Sequence, residues 1–496
     1  MDQDAAGQAG RASSGRASSE RDHVVVVGGG ISGLSAAHEL RQQGLAVTVL
    51  EAAERTGGKI ATAQLAGLRL DTGAESILTR RPEALDLIDE LGLGEELTYP
   101  AAGVPAFVYS RGALRRLPTG QVMGVPGHFG PLARSGVLSP GGLLRAARDW
   151  VWPKCPVTED VAVADFVGRR MGSEVVDRLV EPLLGGVYAG RSEALSLRAT
   201  MPQLASAAQD LGSASASART AIRQRDQTSD PPFATLRGGL GRLVTELETQ
   251  LGAAAQVAVK TRATVRRLQR TGDMWRLTVG CAAESTHVTA AAVVLACPPG
   301  PAARLLAEEV PAAAAALGEV TTASMAVVSL AYPRSAVPPD WTASGFLVPP
   351  VEQRTIKAAT FSSVKWPWLA EELAGASTAE PLAVVRCSIG RVGEEATLQR
   401  SDAELVAAAA DDLAETAGIT APPVESHVTR WGGALPQYDV GHADRISRVR
   451  SALRDQPGLG ACGAAFDGVG IAACVAGARA IAREVLTTRT GRTARL

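Results

Sequence analysis

The stretch from His23 to Ala52 constrains the fold of this chain more than any other. Val24 to Val27 is a short run of β-branched residues, which is too short for a helix and suits a buried parallel strand. Ile31 to Gln43 then carries apolar residues at helical spacing. Val47 to Leu50 predicts a second strand that ends on Glu51. The order strand, glycine turn, helix, strand, acid predicts a βαβ unit of the Rossmann type.

The turn between the first strand and the helix reads G-x-G-x-x-G. The first glycine makes the tight turn, the second lets backbone approach a pyrophosphate, and the third lets the helix pack on the strand. The helix N-terminus offers amide donors and a positive dipole end to phosphates, and the acid can accept hydrogen bonds from ribose hydroxyls. The alternative is a glycine turn with no ligand. We predict instead a dinucleotide site that comprises Gly28, Gly29, Gly30, Ile31, Ser32, Gly33 and Glu51.

Two further turns of small residues follow directly after this unit. The first runs from Ala52 to Lys59, where paired glycines again allow close backbone approach and Arg55 offers a charge to a phosphate. The second runs from Asp71 to Ser76. These turns exceed what NAD needs and fit a ligand that lies extended across the domain, as FAD does. A fourth turn, Gly463 to Gly470, precedes a helix whose N-terminus can cap another polar group.

A chain of 496 residues is too long for one core, so we expect two or three domains. The formal charge of −1 gives no electrostatic case for nucleic acid as a partner. Residues 1–22 are small and polar, so we expect a disordered tail, and the tail has no apolar region of a secretory signal. Leu459 to Ala478 carries one charge but is rich in glycine and alanine, which favours a loop and helix over a membrane span.

Changes of pattern along the chain predict the domain organisation. Strand signals vanish over residues 121–230, which we interpret as a helical insertion whose last part, 204–230, is mobile surface of low complexity. Short antiparallel strands are expected at Val257–Val259, Val265–Gln269 and Met274–Val279, and one buried strand at Val288–Cys297. The hairpin at 105–120 and the mixed pattern of 301–439 predict an α+β domain with an antiparallel sheet.

None of the six cysteines forms C-x-x-C or lies beside histidines at metal spacing, so we predict buried free thiols and no metal site. We expect no catalytic histidine, because His38, His128, His287, His427 and His442 are scattered and read as surface or capping residues.

Several stretches resemble the flavin-containing amine oxidase superfamily: GGGISGL and LEA followed by RTGGK. The sharper resemblance is to its protoporphyrinogen and coproporphyrinogen III oxidases. It rests on DTGAESILTRRP, RGALRRLPTG, EPLLGGVYAG, RWGGALPQY and CGAAFDGVGIAAC, which stand in the right order between about residues 24 and 485.

This resemblance implies an α/β fold: a Rossmann-like FAD-binding domain, an α+β substrate domain with an antiparallel sheet, and the helical insertion. The FAD-binding domain is discontinuous and takes in 23–104, 233–300 and 440–490. The substrate domain takes in 105–120 and 301–439.

The resemblance also implies an enzyme that dehydrogenates a porphyrinogen, with oxygen as acceptor and hydrogen peroxide as product. Six electrons leave in three flavin cycles. A short polar N-terminus without a targeting signal favours the bacterial, cytoplasmic branch that acts on coproporphyrinogen III in haem biosynthesis. The expected partners are the tetrapyrrole and oxygen, with peripheral membrane contact and handover to a haem-pathway chelatase as further expectations.

Carried over residue by residue, the resemblance implies that Glu51 holds the adenosine ribose, Val265 touches adenine and Trp431 lies near the isoalloxazine. Leu183 and Gly186 match positions that line the tetrapyrrole pocket, although Trp431 and Leu183 can also be read as plain core residues. The other implied cofactor contacts are Ala52, Arg55, Gly58, Lys59, Gly73, Ala74, Glu75, Ser76, Gly463, Val469, Gly470 and Ile471.

The chain departs from the family pattern at Ala106, where some relatives carry a basic residue thought to meet a substrate carboxylate. Arg111, Arg115, Lys357 or Lys365 are the candidates to supply that charge. Three other functions stay open: a protoporphyrinogen IX oxidase, an amine oxidase, and a flavin-free escort protein like the GDP-dissociation inhibitors. A scarcity of tyrosine and phenylalanine speaks against the aromatic cage of an amine oxidase, and the intact glycine turns speak against an escort protein.

Overall fold

The computed structural model describes residues 22–225, 231–338, 341–375 and 380–493. Apart from Asp22, the predicted disordered tail lies outside these residues.

The described strands, in chain order, are β1 (His23–Val27), β2 (Ala46–Leu50), β3 (Thr62–Leu65), β4 (Leu68–Asp71), β5 (Ile77–Leu78), β6 (Leu97–Thr98), β7 (Ala106–Ser110), β8 (Ala113–Arg116), β9 (Gln121–Val122), β10 (Val125–Pro126), β11 (Phe233–Leu236), β12 (Val257–Lys260), β13 (Val265–Thr271), β14 (Met274–Gly280), β15 (Ser285–Ala290), β16 (Ala292–Leu295), β17 (Thr322–Pro333), β18 (Gly345–Leu347), β19 (Ile356–Phe361), β20 (Leu382–Ile389), β21 (Glu425–Pro436) and β22 (Leu459–Ala461).

The described helices are α1 (Ile31–Gln42), α2 (Pro82–Glu90), α3 (Phe129–Ser135), α4 (Pro140–Ala147), α5 (Val163–Met171), α6 (Ser173–Val175), α7 (Glu181–Tyr188), α8 (Leu197–Thr200), α9 (Pro202–Leu211), α10 (Ala214–Arg225), α11 (Gly241–Gly252), α12 (Pro299–Leu306), α13 (Pro311–Gly318), α14 (Ser362–Lys365), α15 (Pro367–Gly375), α16 (Asp402–Ala417), α17 (His442–Arg454) and α18 (Ile471–Thr493). A π-helical turn, Val176–Val180, joins α6 to α7.

A parallel sheet in the order β12-β2-β1-β16-β22 carries the predicted βαβ unit. β1 pairs in parallel with β2 and with β16, and Val24, Val25 and Val26 have no exposed surface. Side chains of α1, α11 and α18 pack on one face of this sheet in a single apolar core. The turn and Glu51 both follow the carboxyl ends of strands, where open α/β sheets bind their ligands.

Two strand predictions in this region were wrong. Val257–Val259 pairs in parallel with β2, because α11 returns the chain to the edge of the parallel sheet, and an alternating pattern does not reveal strand direction. The single strand expected at Val288–Cys297 is two strands, β15 in an antiparallel sheet with β13 and β14, and β16 beside β1. The chain changes sheets at Ala291, whose N–H donates to the His23 carbonyl oxygen at 2.9 Å.

The second large sheet is mixed and has the order β21-β17-β20-β19-β18-β7-β8. The predicted hairpin, β7 and β8, forms one end of it and pairs in parallel with β18. Helix α16 covers one face, where Val328, Phe346, Cys387 and Leu405 share an apolar core. On the opposite face, Ala331 and Val384 pack with apolar side chains of α15 and of the hairpin β3–β4. The turns of the first domain and helix α7 meet other parts of this face, as described below.

Residues 121–225 are mainly helical, as predicted. The expectation of a mobile surface from residue 204 onward was wrong up to residue 225, where α9 and α10 pack into the core of the insertion. Ser215 and Ser217 are fully buried, because a serine hydroxyl can bond within its own helix: Ser217 Oγ donates to the Ser213 carbonyl oxygen at 2.7 Å. The remainder of that stretch, 226–230, lies outside the described residues.

None of the helices in the described part of the chain combines the length and apolar character that a bilayer crossing needs. Leu459 to Ala478 instead divides into β22, a glycine turn and the start of α18.

Candidate active site

The glycine turn lies where β1 meets α1, and two of its positions exclude any larger residue. Gly28 has a φ of +109°, and a Cβ there would lie 2.7 Å from the Ala296 carbonyl oxygen. A Cβ at Gly33 would lie 1.8 Å from the Gly28 carbonyl oxygen, so the helix rests directly on the turn. Helix α1 begins at Ile31 with no side-chain cap from Gly30 and no acidic residue in its first turn. This helix end therefore suits a phosphate.

The Glu51 carboxylate lies against this turn. Its Oε2 accepts the N–H of Gly29 at 2.5 Å, and its Oε1 accepts the N–H of Ala53 at 2.7 Å. The N–H of Ala263 donates to the Glu51 carbonyl oxygen at 2.8 Å, which brings the start of β13, with Val265, close to the acid. The predicted cofactor contacts Gly29 and Glu51 thus touch, and the start of the strand that holds Val265 lies beside them.

The second glycine turn touches the first. A Cβ at Gly58 would lie 3.1 Å from the Gly30 Cα. Arg55 was expected to offer its charge to a phosphate, but its guanidinium donates to carbonyl oxygens of its own loop, including that of Gly58 at 2.9 Å. It also lies 5.9 Å from the ring centre of Trp431. Ala52, just before this loop, is exposed.

The third turn is packed between the second turn and an indole ring. A Cβ at Gly73 would lie 2.0 Å from the Lys59 carbonyl oxygen and 3.0 Å from Cζ2 of Trp431. The Ala74 N–H donates to the Lys59 carbonyl oxygen at 3.0 Å, and the Trp431 Nε1–H donates to the Thr72 carbonyl oxygen at 3.0 Å. The structure therefore brings a tryptophan of the second sheet onto a turn of the first domain.

Two charged side chains bridge these turns to the second sheet. Lys59 Nζ donates to a carbonyl oxygen of β21 at 2.9 Å, and burial lowers the pKa of Lys59. Glu75 accepts from Lys365 Nζ at 2.7 Å and pairs with Arg386. Burial alone raises the pKa of Glu75, but these two cations outweigh it and hold the pKa at about 2. Ser76 follows and is half-buried.

The C-terminal glycine segment lies beside the first turn. Gly463 has a φ of +119°, and a Cβ there would lie 3.6 Å from Ser32 Oγ. Helix α18 begins at Ile471, and a Cβ at Gly470 would meet nothing within 4 Å. Val469 packs against the core of the helical insertion. Backbone from both ends of the described chain therefore borders one site.

The predicted tetrapyrrole positions lie on α7. Leu183 is half-buried, so it is not a plain core residue, and Gly186 is exposed. A Cβ at Gly186 would lie 3.6 Å from Cδ2 of Leu347 in β18. Helix α7 thus lies over the face of the second sheet that α16 leaves uncovered.

A buried cationic cluster lies where β19 begins and β20 ends. Lys357 is 2% exposed and Arg391 is 3% exposed. Burial first, and Arg391 second, lower the pKa of Lys357 to about 7. The sequence indicates Lys357 only as one of four candidate charges and gives no sign of Arg391, because no local pattern shows which cations are buried together.

Two histidines differ from their prediction as surface or capping residues. His38 is 1% exposed and His442 is 3% exposed. His442 Nε2 lies 2.9 Å from the Ala465 carbonyl oxygen, and burial lowers the pKa of both imidazoles. Across the described ranges, no group of three or more histidine, cysteine, aspartate or glutamate side chains is arranged to hold a metal ion.

One class of flavoprotein combines these features. Its parallel sheet carries glycine turns and an acid at the end of the second strand, and a second sheet is mixed. The family model described as flavin containing amine oxidoreductase matches residues 31–486. The chain belongs to this family, and its cofactor is FAD.

The similarity extends to individual relatives. The coproporphyrinogen III oxidase of Bacillus subtilis is 33% identical over 479 residues, which are 94% of this chain and 98% of that protein. The coproporphyrinogen III oxidase of Mycobacterium tuberculosis is 37% identical over 482 residues, 95% of this chain and 98% of that protein. A crystal structure of a provisionally assigned protoporphyrinogen oxidase from Exiguobacterium sp. 255-15 has a TM-score of 0.79 and 30% identity, and covers 94% of this chain and 98% of that one. Within the family, the chain falls in this group of porphyrinogen oxidases.

Proposed function

We propose that this chain oxidises coproporphyrinogen III to coproporphyrin III in haem biosynthesis. The observation that carries the proposal is the nearly full-length similarity to coproporphyrinogen III oxidases of two bacteria. In this reaction six electrons leave in three two-electron steps, with molecular oxygen as acceptor and hydrogen peroxide as product.

The residues of the first domain fit FAD. Two glycine positions leave no room for a Cβ, and the N-terminus of α1 carries neither a cap nor an acid that would compete with a phosphate. In the proposed assignment the α1 amides hold the phosphates, Glu51 exchanges its backbone partners for ribose hydroxyls, and Gly73 to Ser76 with Trp431 hold the ring end. When bound, FAD supplies the two-electron oxidation chemistry.

The chain's own contribution is to bind and orient the tetrapyrrole and to exclude water. In this proposal Leu183 and Gly186 of α7, opposite Leu347 of β18, supply an apolar wall for the macrocycle. No side chain is assigned as an indispensable acid or base, because the substrate's own pyrrole tautomers and oxygen-derived species can take up the protons. Orientation in a closed apolar site then accounts for the rate.

In this proposal one sheet belongs to the cofactor-binding residues and the other to the substrate-binding residues. Residues 23–104, 233–300 and 440–490 hold the cofactor, and they contain all the strands of the parallel sheet. Residues 105–120 and 301–439 with the insertion 121–230 bind the substrate, and the first two ranges contain all the strands of the seven-stranded sheet.

Protoporphyrinogen IX is the second candidate substrate, and the similarity to the Exiguobacterium structure favours it. The two substrates differ in charge, since coproporphyrinogen carries four carboxylates and protoporphyrinogen two. The buried cations Lys357 and Arg391 favour the more acidic molecule.

An amine oxidase with an aromatic cage is less well supported. Tyr188 and Tyr438 are the tyrosine pair that most resembles such a cage. Their ring centres are 5.5 Å apart, and both side chains are buried. A substrate between two rings needs about 3.5 Å on each side, roughly 7 Å in all. These two rings pack on each other and leave no space for an amine.

The proposal is tested with the purified protein, which should be yellow, and coproporphyrinogen III in air. Coproporphyrin fluorescence should rise with the release of three hydrogen peroxide molecules for each porphyrin. A yellow protein that produces porphyrin no faster than autoxidation would contradict the proposed substrate. A colourless protein that cannot take up FAD would contradict the fit of the cofactor.

A further inference from the structure

Lys357 is a buried lysine to which the proposed function assigns no binding partner. Its side chain is 2% exposed, and its Nζ has a contact with Met325 Sδ at 3.9 Å. A thioether is a weak acceptor, and within the described ranges no acidic side chain forms an ion pair with Lys357. A buried ammonium without a carboxylate is costly unless a ligand supplies one.

The neighbouring charges do not balance it. Arg391 Nη1 lies 3.4 Å from Glu394, and Arg191 shares that carboxylate at 2.8 Å and lies 3.7 Å from Glu181. Two carboxylates therefore serve two arginines. Glu394 also raises the pKa of Lys357, but more weakly than burial and Arg391 lower it, and Lys357 has no carboxylate in contact.

The lysine lies between the two groups of residues that the proposed function assigns to cofactor and substrate. Met325 is directly opposite Trp431 in the pairing of β17 with β21, and Trp431 packs on the turn at Gly73. On the other side, a Cβ at Gly185 of α7 would lie 4.0 Å from Arg391 Nε. A ligand that contacts both Trp431 and α7 thus passes close to Lys357.

The other three candidate cations already have partners within the protein. Arg111 and Arg115 each donate to a backbone carbonyl oxygen at 2.9 Å, and Lys365 pairs with Glu75. Of the four residues considered in place of the missing basic residue at Ala106, Lys357 is the one whose charge has no anionic or carbonyl partner among the described residues.

We propose, on the basis of the proposed function, that Lys357 Nζ binds a side-chain carboxylate of the tetrapyrrole and that the Met325 side chain moves aside to admit it. An unbranched thioether adapts to such a change more easily than a branched side chain does. The bound carboxylate supplies the negative charge that the cluster lacks. Burial and Arg391 lower the pKa of Lys357 to about 7, and a carboxylate in contact raises that pKa and keeps the amine charged.

The test compares Lys357→Met with Lys357→Arg and with Lys154→Met, an exposed lysine of the insertion, all as FAD-loaded proteins. Coproporphyrin III, a stable tetracarboxylate, serves as the binding probe through the quenching of its fluorescence. Loss of a charged hydrogen bond should weaken binding by roughly 10- to 100-fold in Lys357→Met. KM for coproporphyrinogen III should rise similarly with little change in kcat, the arginine variant should recover part of the loss, and Lys154→Met should bind like the wild type.

A second variant keeps the test valid if Lys357→Met does not fold. Met325→Glu places a carboxylate beside Lys357, so it should retain FAD and thermal stability but bind coproporphyrin III as weakly as Lys357→Met. Wild-type affinity in either FAD-loaded variant would overturn the proposal. If the wild type oxidised no porphyrinogen, the proposed function would fail, whereas the porphyrin affinity of the variants would still decide the role of Lys357.

Discussion

Residues at the site fall into two groups. At some positions nearby backbone restricts which residue fits, and at others the charge of neighbouring side chains does. Gly28 and Gly33 belong to the first group. The contact that limits Gly33 is local, with the Gly28 carbonyl oxygen, whereas the one that limits Gly28 is with the distant Ala296, and the glycine motif predicts both positions. Glu75 belongs to the second. Its partners Lys365 and Arg386 are 290 and 311 residues away, so no sequence pattern reveals that they neutralise it.

Replacing Gly33 by alanine should abolish FAD retention. The new Cβ would lie 1.8 Å from the Gly28 carbonyl oxygen, so helix α1 must move off the turn. The ratio of flavin to protein absorbance in the purified variant measures the effect. Gly252→Ala at the end of α11 is the matched control, because a Cβ there meets nothing within 4 Å. Full flavin content in Gly33→Ala would contradict this prediction, because the site would then bind FAD even after the helix has moved.

Glu75→Gln should remove an acid-sensitive part of the stability. The folded pKa of Glu75 is about 2 against an ordinary 4.5, so its stabilisation is complete above pH 4.5 and is lost as the pH falls toward 2. That shift corresponds to about 3 kcal/mol. Breaking a buried pair costs about 3–5 kcal/mol, because Lys365 and Arg386 are left without their anion.

Thermal unfolding of wild type and Glu75→Gln between pH 7 and pH 3 measures this difference. The midpoints should lie far apart at neutral pH and converge in acid. Glu308→Gln is the control, since it breaks only a solvent-screened pair with the exposed Arg267 and should leave the midpoint nearly unchanged. A constant gap between wild type and Glu75→Gln at every pH would contradict the assigned pKa.

Whole elements were predicted best where the periodicity is strong and the neighbours are local. The strand, turn and helix from His23 to Gln42, the hairpin β7–β8 and the helical insertion all follow from such patterns. Strand direction at Val257 and the change of sheet at Ala291 depend on distant partners. Low complexity at residues 213–217 suggested mobility, whereas small side chains there allow close helix packing.

Asp149→Ala should destabilise the helical insertion. The carboxylate pairs with Arg170 at 2.5 Å and accepts the N–H of Ser215 at 2.7 Å, so it holds α5 and the start of α10 together. Its loss leaves a buried arginine unpaired, at a cost of about 3–5 kcal/mol. Hydrogen exchange of α9 and α10 should accelerate while β1 stays protected. Glu159→Ala, an exposed acid in the same insertion, should leave exchange unchanged, and equal rates in both variants would contradict the role of Asp149.

The whole molecule joins two sheets through charged and aromatic side chains that the sequence separates widely. Trp431 and Arg386 of the second sheet reach the turn at Gly73, and Glu75 of that turn reaches back to the second sheet. Overall class and cofactor could be predicted because the first domain is built from contiguous motifs. The residues that we propose for substrate choice could not, because Lys357, Arg391 and α7 are far apart in sequence and no local pattern shows that they lie close together.

The most direct measurement is the ratio of kcat/KM for coproporphyrinogen III to that for protoporphyrinogen IX, determined with the FAD-loaded protein by porphyrin fluorescence in air. A site with a buried lysine that has no carboxylate in contact should prefer the tetracarboxylate, so the ratio should be well above one. A ratio below one, or no turnover of coproporphyrinogen III above autoxidation, would contradict the proposed substrate.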